Sequence, residues 1–188
     1  MEQYKKFRGF TLPELMITMG VIAIVLSTAV PSVTSMVRNN RLATQLNSIV
    51  THIHVARAEA AKRDVRVILC RSASPNAPSP TCGGSTNVWE SGYIVYADDG
   101  NYSNKNYDAG TDILLIRGQP STSGVKLRTN GTWNNWLEFN PDGTTNEGGN
   151  TALMVLCDNR GNTHGRQILV TPNGMPRMST DNIATCYP

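Results

Sequence analysis

The chain has 188 residues and a formal net charge of +3, and its length suggests a membrane anchor plus one modest domain. Residues 1–9 carry Lys5, Lys6 and Arg8 against Glu2, so the rest of the chain has a net charge of only +1. A balance this close to neutral argues against a dedicated nucleic-acid binder, and DNA binding would need a local basic patch.

An apolar segment at residues 10–30 follows this basic leader. Its 21 residues would span roughly 30 Å as a helix, the thickness of the hydrocarbon core of a bilayer. The basic residues ahead of it predict a cytoplasmic N-terminus. Glu14 is the only ionisable residue in the segment, and a carboxylate there costs on the order of 3 kcal/mol, so it is a functional candidate. The alternative is that Glu14 lies near the end of the span and reaches the headgroups.

The run Gly9-Phe10-Thr11-Leu12-Pro13-Glu14-Leu15 resembles the processing site of type IV prepilins. A conventional secretory signal carries its small residue after a shorter apolar core, whereas Gly9 precedes this one. The resemblance implies that a prepilin peptidase cuts between Gly9 and Phe10 and methylates the new Phe10 amine. It also implies that Glu14 neutralises the N-terminal amine of a neighbouring subunit during assembly. Pro31 resembles the helix-kinking proline of pilins.

The helical pattern continues over residues 31–63. Apolar residues recur at steps of four and three from Leu42 onward, which predicts an amphipathic helix with one apolar stripe. The opposite face carries polar residues that include Arg38, Gln45 and Arg63. One long helix is therefore expected to run from the membrane into a soluble domain, and Pro31 is a candidate position for a bend.

From residue 64 the pattern changes to short β-branched runs separated by turns of Gly, Asn, Asp and Pro. Strands this short and this closely spaced predict antiparallel sheets. The fold class is α+β, with the long helix packed on antiparallel β-sheets of a C-terminal globular domain. Strands are expected at Val65–Cys70, Gly92–Ala97, Asp112–Arg117, Val125–Thr129, Trp136–Phe139, Ala152–Cys157 and Gln167–Thr171.

Several short motifs occur in order along this layout. They are Ala56–Ala60 with Val67–Cys70, then Trp89–Tyr93 with Asp98, Leu137–Gly143, Gly165–Arg166, Ile168–Val170 and Pro172–Gly174. Together they are similar to the GspH/FimT/FimU group of minor pilins and type II secretion pseudopilins. The similarity covers nearly the whole chain and implies a pilin fold. It also implies a single-pass protein of the bacterial inner membrane, with its C-terminal domain in the periplasm, that later joins a pilus or pseudopilus.

Four cysteines lie beyond the apolar segment: Cys70, Cys82, Cys157 and Cys186. None forms a C-x-x-C pair, so zinc and thioredoxin-like sites are weakly supported. An even number of cysteines in an exported domain predicts two disulfides, and four cysteines allow three pairings. We expect Cys70–Cys82, which would tie down a loop after a strand, and Cys157–Cys186, which would anchor the C-terminal tail. Four reduced, buried cysteines are the alternative.

The sequence contains no convincing catalytic set, so we expect no enzyme activity, no cofactor and no metal site. His52 and His54 lie about 200° apart around a helix and cannot chelate one metal ion together. His164 is far from both in sequence. The run Asp98-Asp99-Gly100-Asn101 lacks the full spacing of an EF-hand and is expected to be a plain turn.

Two groups of basic residues bear on possible partners. The first, near the junction of the helix and the first strand, is expected to be mainly a solvated face and contains Arg57, Lys62, Arg63, Arg66 and Arg71. The second contains Arg160, Arg166 and Arg177. Some FimT-type pilins resemble DNA receptors that carry a G-R-x-R motif. This chain has Gly174-Met175-Pro176-Arg177 at that position, which disfavours DNA capture.

We therefore expect a minor pilin or pseudopilin, a structural subunit near the tip of a type IV pilus or type II secretion pseudopilus that takes part in assembly. Its expected regions are a cleaved leader at residues 1–9, a transmembrane helix at 10–30, an amphipathic helix at 31–63 and a globular domain at 64–188. The expected partners are other pilins, bound through the N-terminal helix, the prepilin peptidase and, before assembly, the membrane. The alternative function is a DNA-binding pilus receptor for DNA uptake in natural transformation.

Overall fold

Helix α1 runs from Leu12 to Arg63 in the computed structural model, which describes residues 9–85, 87–100, 104–121, 124–129, 135–146, 150–179 and 186. Charged residues complement the helix dipole, since Glu14 lies in the first turn and Lys62 and Arg63 lie in the last. The helix stops before Asp64, whose φ of 57° is a left-handed conformation that Asp adopts more readily than most residues.

The chain divides into two compact units, Met1–Asn39 and Asn40–Pro188, and α1 contributes residues to both. In the first unit the helix is long and apolar enough to cross a membrane, with a mean hydropathy of 2.0 over an 18-residue window that is 0% buried. Hydroxyl groups of this part donate to carbonyls one turn back, as Ser27 does to Ile24 at 2.7 Å. Each such bond satisfies a polar group inside an otherwise apolar surface.

In the second unit the helix buries a single stripe, which confirms the periodicity read from the sequence. Four residues of the stripe are completely buried: Leu42, Ile53, Ala56 and Ala60. Two more, Leu46 and Ile49, are 4% exposed. Full burial of a Leu or Ile side chain stabilises a fold by about 1.5–3 kcal/mol. The stripe therefore attaches the second half of α1 firmly to the rest of its unit.

Eight strands in the described residues form two four-stranded antiparallel sheets. The first sheet has the order β3-β2-β1-β5 and the second has the order β4-β6-β7-β8. A short 3-10 helix at Asn162–His164 lies between β6 and β7. The strands are β1 (Arg66–Arg71), β2 (Tyr93–Asp98), β3 (Ile113–Gly118), β4 (Lys126–Thr129), β5 (Trp136–Phe139), β6 (Ala152–Cys157), β7 (Arg166–Val170) and β8 (Pro176–Ser179).

One apolar core joins the helix stripe to the inner faces of both sheets, with Trp89 and Phe139 among its largest side chains. A second, smaller cluster covers the outer face of the first sheet. Its buried members are Ile68, Cys70, Ile94 and Tyr96, and partly buried Cys82, Tyr107, Leu114 and Trp136 pack against them. Strand β1 is consequently buried along both of its faces.

The architecture confirms the α+β class and the antiparallel sheets, and the seven expected strands occur within one residue of their expected boundaries. Strand β8 was not expected from the sequence. Its first residue is Pro176, and the Asn173-Gly174 pair ahead of it indicates only a turn. Pro cannot donate to a sheet ladder, and β8 tolerates it because it is an edge strand with Pro176 at its first position.

Candidate functional sites

The expected cleavage position lies in non-helical backbone. Gly9 and Phe10 both precede α1, which begins at Leu12. Both residues are exposed, and the Phe10 side chain is 82% exposed. A peptide bond outside a helix and open to its surroundings suits cleavage by a peptidase.

Glu14 occupies the first turn of α1, where its carboxylate faces the exposed helix start. The Thr11 N–H lies 3.5 Å from Glu14 Oε2, an arrangement that matches the reciprocal half of a capping box. No basic side chain in the described part of the chain forms an ion pair with Glu14.

The side chains from Phe10 to Val37 form an apolar surface in the first unit. Every residue in this range is exposed, including large side chains such as Ile17, Ile24 and Val30. Isolated exposed hydrophobic residues are ordinary, but a contiguous apolar surface of this length marks a membrane or protein contact. The segment can be covered by lipid or by other apolar helices.

The structure contains the two disulfides expected from the sequence. Cys70 and Cys82 are joined, with Cα atoms 5.6 Å apart, and the bridge lies in the cluster on the outer face of the first sheet. Cys157 and Cys186 are joined, with Cα atoms 5.8 Å apart. Cys186 packs against Val155 and Cys157, and its N–H donates to Asn162 Oδ1 at 2.7 Å. Both bridges therefore fasten peripheral segments to a sheet.

The first basic group is a solvated face only at Lys62 and Arg63, which are exposed on α1. The expectation is wrong for Arg66 and Arg71, which are buried and only 9% and 6% exposed. Because side chains alternate along a strand, Arg66 lies on the outer face of the first sheet with Ile68, whereas Arg71 lies on the same face as Leu69. Arg66 pairs with Asp98 and, at 3.3 Å, with Glu138. Arg71 has no carboxylate partner among the described residues and donates to Asn135 Oδ1 at 3.0 and 2.7 Å. Burial lowers the pKa of Arg71.

The other members of this group also have partners. Arg57 donates to the Gly143 carbonyl at 3.0 Å, which fastens the helix to the turn after β5. Lys62 and Arg63 pair with Glu59 at 3.0 and 2.5 Å on the exposed end of α1. These contacts give the group a structural role and leave no continuous basic patch in it.

His52 is half-buried beside Tyr93 on β2. Its Nδ1 lies 2.6 Å from the Tyr93 hydroxyl, which also bonds to Ser48. Burial lowers the pKa of His52 and raises the pKa of Tyr93, so both side chains favour their neutral forms. The hydrogen bond between His52 Nδ1 and the Tyr93 hydroxyl links α1 to β2. The sequence marked His52 only as a poor candidate for a metal ligand. It did not predict the contact with Tyr93, which lies 41 residues away.

The second basic group is dispersed. Arg160 forms an ion pair with Asp158 at 2.6 Å and is mostly buried. Arg166 and Arg177 belong to adjacent strands, where Arg166 lies opposite Leu156 and Arg177 lies opposite Leu169. Because successive side chains of a strand alternate between faces, Arg166 and Arg177 lie on opposite faces of the second sheet. The three arginines do not form one surface.

Within the described residues, no group of three or more His, Cys, Asp or Glu side chains is placed to hold a metal ion. Asp98 ends β2 and binds Arg66, whereas Asp99 and Gly100 follow the strand and Asn101 lies outside the described residues. His164 belongs to the short 3-10 helix and its Nδ1 contacts Thr163 Oγ1 at 3.0 Å.

Two protein-family models match the chain. The model described as type II transport protein GspH matches residues 45–174, and the prokaryotic N-terminal methylation motif matches residues 4–30. No protein of curated function matches the chain.

Two crystal structures of the type IV minor pilin FimU from Pseudomonas aeruginosa strain PAO1 share the fold. The first has a TM-score of 0.58 and 15% identity, and the match covers 81% of this chain and 99% of that one. The second, from another crystal form, has a TM-score of 0.54 and 14% identity, with 78% and 100% covered. At these identities the likeness concerns the fold alone.

Proposed function

Because the chain belongs to the family of the type II transport protein GspH, we propose that it is a structural subunit near the tip of a type IV pilus or type II secretion pseudopilus and takes part in its assembly. Family membership and the pilin fold support the general assignment of the chain as a minor pilin or pseudopilin. The methylation motif at residues 4–30 supports cleavage after Gly9 and methylation of Phe10.

One observation carries the proposal: a single helix has two different surfaces. From Leu12 to Val37 its side chains are exposed and largely apolar, whereas from Leu42 to Ala60 it buries a stripe in the globular core. A folded domain attached to an uncovered apolar helix needs lipid or other helices around it. Before assembly the lipid is the inner membrane, with the globular domain in the periplasm. During assembly the apolar helix exchanges lipid for the helices of neighbouring subunits.

The regions of the chain follow from the same scheme. Residues 1–9 are the leader removed by the prepilin peptidase, and residues 10–30 cross the membrane. Residues 31–63 continue the helix, and residues 64–188 form the periplasmic globular domain. As a structural subunit the chain has no catalytic role.

The test is incorporation of the full chain into filaments in its native host. Filaments sheared from the cells, or pseudopili formed on overexpression of the secretion system, are collected and probed with an antibody to the chain. We expect the processed chain in the filament fraction at a few copies per filament and cross-linked to other pilins. A chain that is abundant in the membrane but absent from every filament fraction contradicts the proposal.

DNA capture remains the alternative function, and the arrangement of the arginines does not favour it. Arg160 is neutralised by Asp158, and Arg166 and Arg177 lie on opposite faces of the second sheet. The full chain in detergent should give no mobility shift with duplex DNA at physiological salt. A clear shift that weakens in Arg177→Ala, with a salt slope of the residual binding smaller by about 0.9 for the lost contact, would make the chain a DNA receptor.

A further inference from the structure

A short segment of the loop between β1 and β2 lies against the end of β1. This cover segment, residues 82–84, begins at Cys82, which forms a disulfide with Cys70. The next residue, Arg71, ends β1 and is only 6% exposed. A Cβ atom at Gly84 would lie 3.2 Å from Arg71 Nη1, so the cover segment passes close to this nitrogen. The disulfide therefore holds the cover segment beside a buried arginine.

Arg71 is a buried cation without a counter-ion. Its Nε and Nη2 donate to Asn135 Oδ1, a neutral acceptor, at 3.0 and 2.7 Å. Its Nη1 is buried and has no hydrogen-bond partner in the described part of the chain. A buried charge without a counter-ion and an unpaired donor both oppose folding. Arg66 on the same strand is also buried, but it pairs with two carboxylates.

The cover segment has few other attachments that could offset this cost. In the described part of the chain it forms one backbone hydrogen bond, from the Gly83 N–H to the Arg71 carbonyl at 2.9 Å. A single hydrogen bond contributes less to stability than the burial of an uncompensated charge costs. The Cys70–Cys82 bridge restricts the open loop, because it closes a sequence separation of 12. The bridge is therefore the interaction that keeps Arg71 covered.

The two sulfurs of this bridge differ in accessibility, because Cys70 is completely buried whereas Cys82 is partly exposed. A dithiol reductant would therefore attack the Cys82 sulfur, form a mixed disulfide with it and release Cys70 as a thiolate that takes up a proton. The second thiol of the reductant then attacks the sulfur of the reductant in that mixed disulfide and releases Cys82. The reductant ends as a cyclic disulfide, and the protein gains two thiols.

We propose that the Cys70–Cys82 bridge and residues 82–84 form a redox-sensitive cover over Arg71. While the bridge is intact, the cover keeps the guanidinium out of water. Reduction by a dithiol lets the cover open, because the exposed charge regains its hydration. The open form presents a positive charge that an acidic group of another molecule can contact. The inference concerns the globular unit alone and does not depend on the role in a filament.

The first experiment measures the exposure of Arg71 with phenylglyoxal, which reacts with accessible guanidinium groups. The full chain in detergent is labelled and the modified residues are identified by mass spectrometry. Cys70→Ala/Cys82→Ala represents the open bridge without free thiols. Arg71 should react at least about tenfold faster in this variant than in the wild type, since loss of such a bridge shifts a local opening equilibrium by this factor or more. Arg66 should stay protected in both.

Two comparisons assign the effect to this bridge. Cys157→Ala/Cys186→Ala removes the other disulfide and should leave Arg71 protected. In the wild type, dithiothreitol should increase the labelling of Arg71 and re-oxidation should reverse the increase. Arg71 that stays protected without the Cys70–Cys82 bridge overturns the inference. Labelling of Arg66 together with Arg71 also overturns it, because the whole sheet would then have opened, and so does equal labelling of Arg71 in Cys157→Ala/Cys186→Ala.

The second experiment tests whether the charge of Arg71 drives the opening. Arg71→Met is added to Cys70→Ala/Cys82→Ala, and hydrogen exchange is measured at the Gly83 amide, which bonds to the carbonyl of residue 71. Exchange should be at least about threefold slower with Met than with Arg, because the apolar side chain no longer favours the open form. Arg63→Met, on the exposed end of α1, is the control and should not change the exchange. Equal exchange with Met and Arg at position 71 would show that the bridge is only a structural link and overturns the inference.

Discussion

The guanidinium of Arg66 on β1 donates to the carboxylate of Asp98, which lies directly opposite on β2, and both side chains are almost completely buried. Arg66 also reaches Glu138 on the other neighbouring strand at 3.3 Å and the Asn104 carbonyl at 2.8 Å. Lys105 lies 2.8 Å from Glu138 and completes the network. One arginine thus joins β2, β1 and β5 to the loop between β2 and β3.

Removal of Arg66 should destabilise the protein strongly. Arg66→Met leaves the carboxylates of Asp98 and Glu138 buried without their arginine partner, and removing one partner of a buried ion pair costs about 3–5 kcal/mol. Chemical denaturation of the full chain in detergent measures the change. Arg63→Met is the control, since Arg63 pairs with Glu59 on an exposed helix face and should cost less than about 0.5 kcal/mol. If both variants lose the same unfolding free energy, burial of the Arg66 network does not add to stability.

Replacement of Glu14 separates its charge from its helix-capping contact. Gln at this position can still accept the Thr11 N–H, as a capping box allows, but it cannot neutralise the amine of a neighbour. Glu14→Gln should insert into the membrane normally and enter filaments at least about tenfold less, because loss of one member of a buried charge pair costs several kcal/mol. Thr18→Val serves as the control in the same apolar segment. Wild-type incorporation of Glu14→Gln would favour a carboxylate that reaches the headgroups.

Processing should occur after Gly9. Mass spectrometry of the chain in filaments should show an N-terminal Phe10 that carries a methyl group. Gly9→Val should leave a precursor heavier by the leader, because a bulkier residue occupies the small position before the cut. Gly20→Ala lies in the apolar helix with open space around it and should be processed normally. An intact Met1 in assembled filaments contradicts this prediction.

The two disulfides should be present in the mature protein and should stabilise it. Peptide mapping without reduction should recover Cys70 with Cys82 and Cys157 with Cys186. The double variant Cys157→Ser/Cys186→Ser should lose about 2–4 kcal/mol in unfolding free energy, since the bridge closes a loop of sequence separation 29. Free thiols or crossed pairs in the map would refute the assignment.

Stability should depend on pH through His52. Burial lowers the pKa of this ring in the folded protein, so the unfolded chain binds the proton first as the solution is acidified. The free energy of unfolding should therefore fall as the pH drops below about 6.5, the ordinary pKa of His, and level off below the folded pKa. One unit of pKa difference corresponds to at most about 1.4 kcal/mol, and the part-exposed ring should give less.

Denaturation of the full chain at several pH values tests this dependence. The His52→Gln variant should lose that part of the slope between pH 5 and 7, whereas His54→Gln, at an exposed helix position, should keep it. An unchanged profile in His52→Gln would show that His52 does not contribute to the pH dependence.

The sequence was sufficient for the parts of the fold governed by local periodicity. The stripe from Leu42 to Ala60 follows the turn of a helix, and the β-branched runs end at turn residues, so both were predictable. Pro176 concealed β8, because a strand that begins with Pro has no local signal and depends on pairing with β7.

The buried charges were not predictable in this way. Arg66 and Arg71 belong to β1, which is buried along its whole length, whereas their charge alone indicated a solvated surface. Their burial depends on contacts between residues far apart in sequence.

The Cys157–Cys186 bridge determines how the globular unit bears tension. Strands β7 and β8 both lie between the bridged cysteines and so sit inside a closed covalent loop. Pulling at the C-terminus therefore transmits force from Cys186 to Cys157 at the end of β6 and bypasses both strands. Because β6 is flanked by β4 and β7, the load enters the sheet at an interior strand and does not peel the edge strand β8. While the disulfide is intact, a subunit under tension cannot extend the segment between the two cysteines, whose sequence separation is 29. Reduction of the bridge would release about 100 Å of stretched chain.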